Sequence, residues 1–390
     1  MNATLLATAT TDLIAVTRLR LTRFRNYGSL ALDLNRLPVI ATGPNGAGKT
    51  NLLEAISFLA PGRGLRGSKL SDIDSTPGHH DLVETGGYGW AVAATVEAGE
   101  GSIEIGTGRT ESEERRTVRI AGIAHKSQAA LTEYVNVIWL TPQMDRIFID
   151  GPSGRRRFLD RLVFSFDSAH AGRVSSYNSA MRQRARLLRD RTADAVWLTI
   201  LENTMAERGI AIAAARREVT DRLNRACMQS IGPFPNAELE LDGFLEKWLN
   251  TLPALEAEAR MRAALEAGRQ ADTEPARTPV GPHRSDLKVR HVEKGQWAYR
   301  CSTGEQKALL IAIVLADARL QTAERNATPL LLLDEVAAHL DMRHRVALFH
   351  VIQDLGAQVW LTGTDRSIFD ELQNNAQFLE VHDGHAHLLS

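Results

Sequence analysis

The run Gly43, Pro44, Asn45, Gly46, Ala47, Gly48, Lys49 and Thr50 limits the fold more than any other stretch of the chain. It has the spacing GxxxxGK[ST]. It follows a short apolar strand predicted over 37–42 and opens a helix predicted over 51–59, the context that gives this spacing its meaning. Glycines here let successive backbone N–H groups turn inward, and the helix adds its positive end, so the loop cradles phosphates. Lys49 is then placed to reach the β- and γ-phosphates, and the Thr50 hydroxyl to ligate Mg²⁺.

A second stretch completes this chemistry. Leu330, Leu331, Leu332 and Leu333 predict a buried strand, and it ends in Asp334 and Glu335. Asp334 would hold Mg²⁺, directly or through water, and Glu335 would polarise the attacking water as general base. An apolar strand followed by two acids is common alone; paired with the glycine loop it points to ATP hydrolysis. About one helix length upstream lies Ser302-Thr303-Gly304-Glu305-Gln306-Lys307, which resembles the ABC signature Ser-x-Gly-x-Gln. In that superfamily the signature serves the γ-phosphate of the other subunit's nucleotide. A hydroxyl and a glycine N–H at a helix N-terminus suit an anion. Ser302 and Glu305 equally satisfy the S-x-x-E capping box, and both roles can hold together. His339-Leu340-Asp341 resembles the D-loop. Gln143 falls where a Q-loop would lie, or is an ordinary turn residue. The usual switch histidine is missing: its region is Leu361, Thr362, Gly363, Thr364 and Asp365.

Around these motifs the chain changes character twice. Residues 18–24 and 30–34 alternate with period two, as a hairpin with one solvated face would. Segments 91–96, 103–105, 118–120 and 135–140 suggest an antiparallel layer. From 153 to 231 there is no proline, and Met181, Ala185 and Leu188, then Trp197, Leu201 and Met205, repeat at helical spacing. A break near 190–192 joins two helices, with Thr192 as N-cap, and Gly232-Pro233 stops the run. Residues 266–279 are loop-like. Helices over 309–320 and 343–355 and a strand over 358–361 return the chain to α/β.

The expected fold is an ABC-type ATPase head, a P-loop α/β core plus an antiparallel β layer, with an inserted, mostly α-helical lobe. The divisions are a disordered tail (1–13), the N-terminal half of the head (14–150), the helical insertion (151–279) and the C-terminal half of the head (280–390). A length of 390 residues suits two or three such units.

The bulk numbers exclude other classes. Cys227 and Cys301 are too few for a disulfide framework and fit a reducing cytoplasm. No apolar run is long enough to span a bilayer, and the first residues lack the positive region of a signal peptide, so a fused membrane transporter is excluded. The net charge of −1 announces no basic field, so any DNA site must come from local clusters. Arg182, Arg186 and Arg189 share one helical face, and Arg155, Arg156, Arg157 and Arg161 begin the same lobe. Such arginines give salt-dependent, sequence-independent phosphate contacts. A solvated face is the ordinary alternative, and for Arg155 and Arg156 a structural one. No groove-reading motif or aromatic platform is apparent, which favours the duplex backbone over base readout.

Five further segments carry a resemblance. They are Arg23-Phe24-Arg25-Asn26-Tyr27, Asn51-Leu52-Leu53-Glu54-Ala55-Ile56, Gly151-Pro152-Ser153-Gly154-Arg155-Arg156-Arg157-Phe158-Leu159-Asp160, Tyr177-Asn178-Ser179-Ala180-Met181-Arg182-Gln183-Arg184 and Gly281-Pro282-His283-Arg284-Ser285-Asp286-Leu287. Together they resemble the RecF family of gap-repair ATPases, over about 16–358. The resemblance implies ATP and Mg²⁺ as cofactors. It adds Asn51, Gln143, Ser302, Gly304, Gln306 and Asp341 to the nucleotide contacts, with Gln143 also on the metal. It implies an ATP-dependent head-to-head homodimer with two nucleotides at its interface. It further implies binding to duplex DNA and gap junctions, RecO- and RecR-type mediators as partners, and weak DNA-stimulated hydrolysis.

Some positions depart from the family pattern. Glu335 stands where the family often has Asp, Glu305 where it often has Gln, and Ser285 where Asp is usual. His283 and Arg284 have a structural or nucleotide-side role, or His283 is a satisfied buried histidine. A solute-transport ABC ATPase would not need the Arg-rich insertion. An SMC-type ATPase would need one of hundreds of residues, where 153–279 supplies only a short helical hairpin. A DNA clamp without turnover would not need Glu335.

Overall fold

The computed structural model describes residues 12–74, 88–99, 101–110, 115–190, 194–229, 231–273 and 278–389. They form two compact units: Met1–Met144 with Ile231–Phe234 and Val314–Ser390, and Asp145–Ser230 with Pro235–Ile313. Among the described residues no helix is long and apolar enough to cross a membrane.

Four leucines in a row have no solvated face, and Leu330–Leu333 lies inside a six-stranded sheet with both faces covered. The order there is His385–Leu389, Gln377–His382, Val39–Thr42, Val359–Gly363, Leu330–Leu333, Val137–Leu140. All neighbours are parallel except the C-terminal hairpin. Val137–Leu140, expected in the antiparallel layer, instead pairs residue for residue with Leu330–Leu333. Its four side chains are all buried, so it lacks the alternation of a one-faced strand.

The antiparallel sheet of the same unit does alternate. In Ala15–Phe24, Leu19, Leu21 and Phe24 are buried while Arg18 and Arg20 are exposed. The partner strand Tyr27–Asp33 sets Leu32 and Leu30 opposite Leu19 and Leu21. The helix Lys49–Ser57 buries Leu52, Leu53, Ala55 and Ile56 in a core shared with both sheets. Phe24, Phe58 and Trp90 close it with ring centroids 5.0 to 6.0 Å apart. A bulge between Val16 and Arg18 interrupts the ladder. There the buried Gln358 accepts from Val16 N at 2.8 Å and donates to Val16 O at 3.0 Å and Asn35 O at 2.9 Å, which ties the two sheets together.

The second unit is mainly helical: Pro152–Phe164, His170–Asp190, Ala195–Cys227, Phe244–Leu249 and Ala254–Ala267, with a sheet of Ala237–Asp242, Asp286–His291 and Gln296–Trp297. Its boundaries differ from the expected ones. Residues 280–313 pack with the helices, because Asp286–His291 pairs along its whole length with Ala237–Asp242. The expected N-cap Thr192 lies outside the described residues; Asp194 caps the helix, its side chain accepting from Val196 N. Trp197 is 52% exposed instead of lying with buried Leu201 and Met205. Most of the expected disordered tail lies outside the described residues, but Asp12–Leu13 forms a strand beside Ala327–Thr328.

This unit buries charge where the sequence predicts apolar stripes. The inner face of His170–Asp190 is Tyr177, Ala180, Arg184 and Leu188. Arg184 donates to Glu202 at 2.9 Å, Asp272 at 2.6 Å and Leu265 O at 2.7 Å. Arg216 grips Asp160 through two bonds of 2.8 and 2.9 Å and donates to Pro282 O at 2.7 Å. His170 Nε2 bonds Asp160 at 2.8 Å.

His283 is the satisfied histidine of the two alternatives. Its Nδ1 lies 2.7 Å from the Tyr177 hydroxyl and its Nε2 lies 3.0 Å from Thr278 O, an acceptor, so Nε2 carries the proton. Burial pushes its pKa down to about 4 from 6.5. A histidine that resists protonation when folded costs stability as pH falls from 6.5 towards 4, since the unfolded chain takes the proton first. The loss should approach about 3 kcal/mol at the acid end. His283→Gln should flatten that part of a urea-midpoint profile; an unchanged acid slope would assign it elsewhere.

Candidate nucleotide site

Two glycines of the loop are required by close approach. Gly43 has φ of 149°, and a Cβ there would meet Val381 O at 2.1 Å; Gly48 has φ of 120°, and its Cβ would meet the Asn26 amide at 2.5 Å. The loop therefore packs with no side chain in the way, and the helix starts at Lys49.

Lys49 is nearly buried and folds back, its Nζ donating to Gly43 O at 2.7 Å and Pro44 O at 2.9 Å. Burial pushes its pKa down, opposed by Glu335 and Asp334. Phosphate oxygens are the natural replacement for those two carbonyls. The Thr50 hydroxyl lies 3.0 Å from both carboxylate oxygens of Asp334. Neighbouring ligands around a Mg²⁺ ion with bonds near 2.1 Å sit about 3 Å apart, so this donor pair fits the ion. Burial pushes the Asp334 pKa up, while hydrogen bonds from Thr362 and Thr50 oppose it.

Thr362 occupies the region where a switch histidine is missing. It donates to Asp334 Oδ1 at 2.8 Å and accepts from Glu335 N at 2.9 Å. Glu335 has a left-handed φ of 53°, unfavourable for a residue with a Cβ, and the Thr362 bond helps hold it. Asn45, Gly46, Gly48, Lys49, Thr50, Asn51, Arg66 and Glu335 line one cleft of about 180 Å³. A larger open trough of about 270 Å³ on the antiparallel sheet, between Arg18, Arg20 and Arg119, holds no such convergent set.

The remaining motif residues are placed as follows. Gln143 is exposed in the turn Pro142–Arg146, just after the strand whose Leu140 O accepts from Asp334 N at 2.9 Å. Asp341 caps the helix Met342–Leu355, accepting from His344 N at 2.9 Å. In the other unit Ser302, Thr303 and Gly304 are exposed at the start of the helix Thr303–Arg325. Ser302 and Glu305 form the capping box: Glu305 accepts from Ser302 N at 3.0 Å and donates its N–H to Ser302 Oγ at 3.4 Å. Gln306, an expected nucleotide contact, is buried and donates to Cys301 O at 2.9 Å, so it shapes the turn from inside.

The family model for the RecF/RecN/SMC N terminal domain matches residues 15–387. The chain is 48% identical over 375 residues to the DNA replication and repair protein RecF of Rhizobium meliloti strain 1021, covering 95% of this chain and 98% of that one. It is 48% identical over 374 residues to the protein of that name from Mesorhizobium japonicum, covering 95% and 96%. The chain belongs to the RecF family. Its fold is similar to that of the recombination mediator protein RecF-ATPrS in the RecFOR pathway, with a TM-score of 0.84 at 23% identity over 98% of this chain and all of that one. It is less similar to the Smc head domain of Pyrococcus furiosus, with a TM-score of 0.54 at 15% identity over 97% of this chain and 96% of that one.

The segments that mark the RecF family now acquire physical roles. Asn26 donates to Ala47 O at 2.9 Å, Tyr27 donates to Gly48 O at 3.1 Å, and Asn51 donates to Asn26 at 2.7 Å. Glu54, fully buried, takes Arg25 in two bonds of 2.8 Å and Arg66 at 2.7 Å; Arg66 also donates to Asn51 at 2.6 Å. Asn51, expected on the nucleotide, lines the cleft and also ties the loop to Asn26 and Arg66. Arg66, missed from the sequence, lines the cleft; only its fold-back from an irregular stretch reveals it. Ser285, where the RecF family usually has Asp, donates to buried Glu246 at 2.6 Å, where a second carboxylate would repel.

The expected DNA arginines divide. Arg155 is engaged internally, with Asp286 at 2.7 and 3.0 Å and the carbonyls of Ile147 and Asp150. Arg156 is half-buried and donates to Ser285 O at 2.9 Å. An ion pair and two carbonyls engage the first throughout, while a buried carbonyl takes one N–H of the second. Arg182, Arg186 and Arg189 stay exposed along one helix.

Proposed function

We propose that this chain is an ATP-driven DNA-repair ATPase that closes head-to-head on a second copy with two ATP molecules at the interface. In that state it holds duplex DNA near single-strand gaps and works with RecO- and RecR-type mediators, and slow hydrolysis releases it. One observation carries the enzymatic half: the hydroxyl of Thr50 and the carboxylate of Asp334 meet at 3.0 Å in the cleft that Lys49 and Glu335 also line. Family membership supports the DNA-repair half.

Lys49 would exchange two loop carbonyls for phosphate oxygens. Glu335 would orient water and take its proton, and Thr362 would keep Asp334 and the Glu335 backbone in register. Thr50 and Asp334 would hold Mg²⁺, with Gln143 as the further ligand the family resemblance implies, and the ion would supply positive charge against the phosphates. The exposed Ser302 and Gly304 would face the nucleotide of the second copy. Arg182, Arg186 and Arg189 would take DNA phosphates.

Light scattering with ADP, ATP, and ATP plus duplex tests this. The wild type should dimerise with ATP, and Lys49→Arg should not. Arg182→Glu with Arg186→Glu should keep the dimer but reduce the slope of log K against log salt by about 2. A chain that stays monomeric with ATP and binds duplex equally well without it would refute the proposal.

A further inference from the structure

The signature segment contains a conflict of charge. The N-terminus of the helix Thr303–Arg325 offers the Ser302 hydroxyl and the Gly304 N–H to an anion, yet its third residue is the carboxylate Glu305. Reciprocal capping fixes Glu305 there. The contact with Lys294, then the Ser302 N–H, hold its pKa down to about 2, so it is ionised at any working pH.

Lys294 supplies the counter-charge, and the backbone puts it there. It sits in the turn between Asp286–His291 and Gln296–Trp297, where His291 pairs with Gln296. Gly295, at φ of 62°, closes that turn with its N–H on Val292 O at 3.0 Å. The chain then passes through the single turn Ala298–Arg300 into Ser302, so hairpin and signature are one continuous piece. The Lys294 ammonium bonds Glu305 Oε1. The two side chains are 48% and 30% exposed, and such a pair contributes little to folding. The neighbouring cations are otherwise engaged: Lys307 with Asp145 at 3.3 Å, and Arg300 over the Tyr299 ring.

We propose that Lys294 is a positioning residue for nucleotide bound by a second copy: by neutralising Glu305 it lets this helix N-terminus accept a triphosphate. The inference rests on the head-to-head dimer proposed above. Like charges about 6 Å apart at a solvated surface weaken a contact roughly threefold. The dimer makes the contact twice, so Lys294→Ala should weaken ATP-dependent self-association on the order of 10-fold.

The experiment is light scattering over a concentration series with ATP, on the full chain. Lys294→Arg should behave like wild type. Lys294→Ala with Glu305→Gln should recover to within roughly threefold of wild type, because the charge needing neutralisation has gone. Nucleotide affinity of the dilute monomer should not change in any variant. A purely structural lysine would give a loss that Glu305→Gln does not restore, and that result overturns the proposal. So does Lys294→Ala dimerising like a wild type that itself dimerises. A wild type that stays monomeric with ATP removes the dimer and the Lys294 role together.

Discussion

Replacing Glu335 by Gln is expected to lower ATP turnover by about 10³-fold while ATP affinity changes only a few fold. Gln has the length of Glu and keeps the backbone bond from residue 335 to Thr362 Oγ1, so the cleft keeps its shape. What would disappear is the proposed proton acceptor. Lys49 and the loop N–H groups, which would hold the phosphates, are untouched. If hydrolysis is what opens the dimer, the ATP-bound dimer should persist for correspondingly longer after dilution. Single-turnover phosphate release and light scattering read the two effects separately. Turnover within threefold of wild type would remove Glu335 from the role of base. Glu335→Asp is the finer comparison, since the family often has Asp there. Equal single-turnover rates for the two acids would show that the longer one brings no advantage.

Asp160→Ala should cost about 4 kcal/mol of stability, the scale of breaking a buried ion pair from one side. Arg216, with a side chain 4% exposed, would keep only Pro282 O, and His170 would lose its carboxylate. Burial alone would raise the Asp160 pKa, but Arg216 and His170 outweigh it and hold the group below the ordinary carboxylate range. A depressed carboxylate stabilises the fold above its unfolded pKa, and the contribution fades only as pH falls through the lower folded value. A urea titration at neutral pH therefore reads the whole effect. Asp160→Leu with Arg216→Met should recover much of the loss, since neither charge is then left alone. A shift below about 1 kcal/mol for the single variant would show that the pair is solvated and not a structural centre.

Local chemistry was legible along the chain wherever one short segment does the whole job. The loop from Gly43 to Thr50, the four leucines ending in Asp334 and Glu335, and the capping box of Ser302 and Glu305 are such segments, and each stands in the predicted local context. Partnerships across long sequence separations were legible only where two motifs share one ligand: Thr50 meets Asp334 across 284 positions, as their common role at a metal ion requires. No motif announces that Gln358 meets Val16 across 342. Arg155 belongs to the same arginine-rich lobe as Arg182, yet among the described residues only the first finds an acid, Asp286, 131 positions away. Gln306 matches a motif by letter and is turned inward by the fold.

The sequence by itself determined the phosphate loop, the acids and the alternation of strands and helices, because backbone freedom, side-chain charge and periodicity are properties of neighbouring residues. Tertiary structure alone decided three further things. It set Val137–Leu140 beside the acid-bearing strand, it took Arg155 and Arg156 out of the exposed arginines, and it brought Asn26, Tyr27 and Arg66 up behind or beside the loop. Those outcomes depend on which distant groups compete for the same buried donor or acceptor, and that competition exists only once the chain has closed on itself.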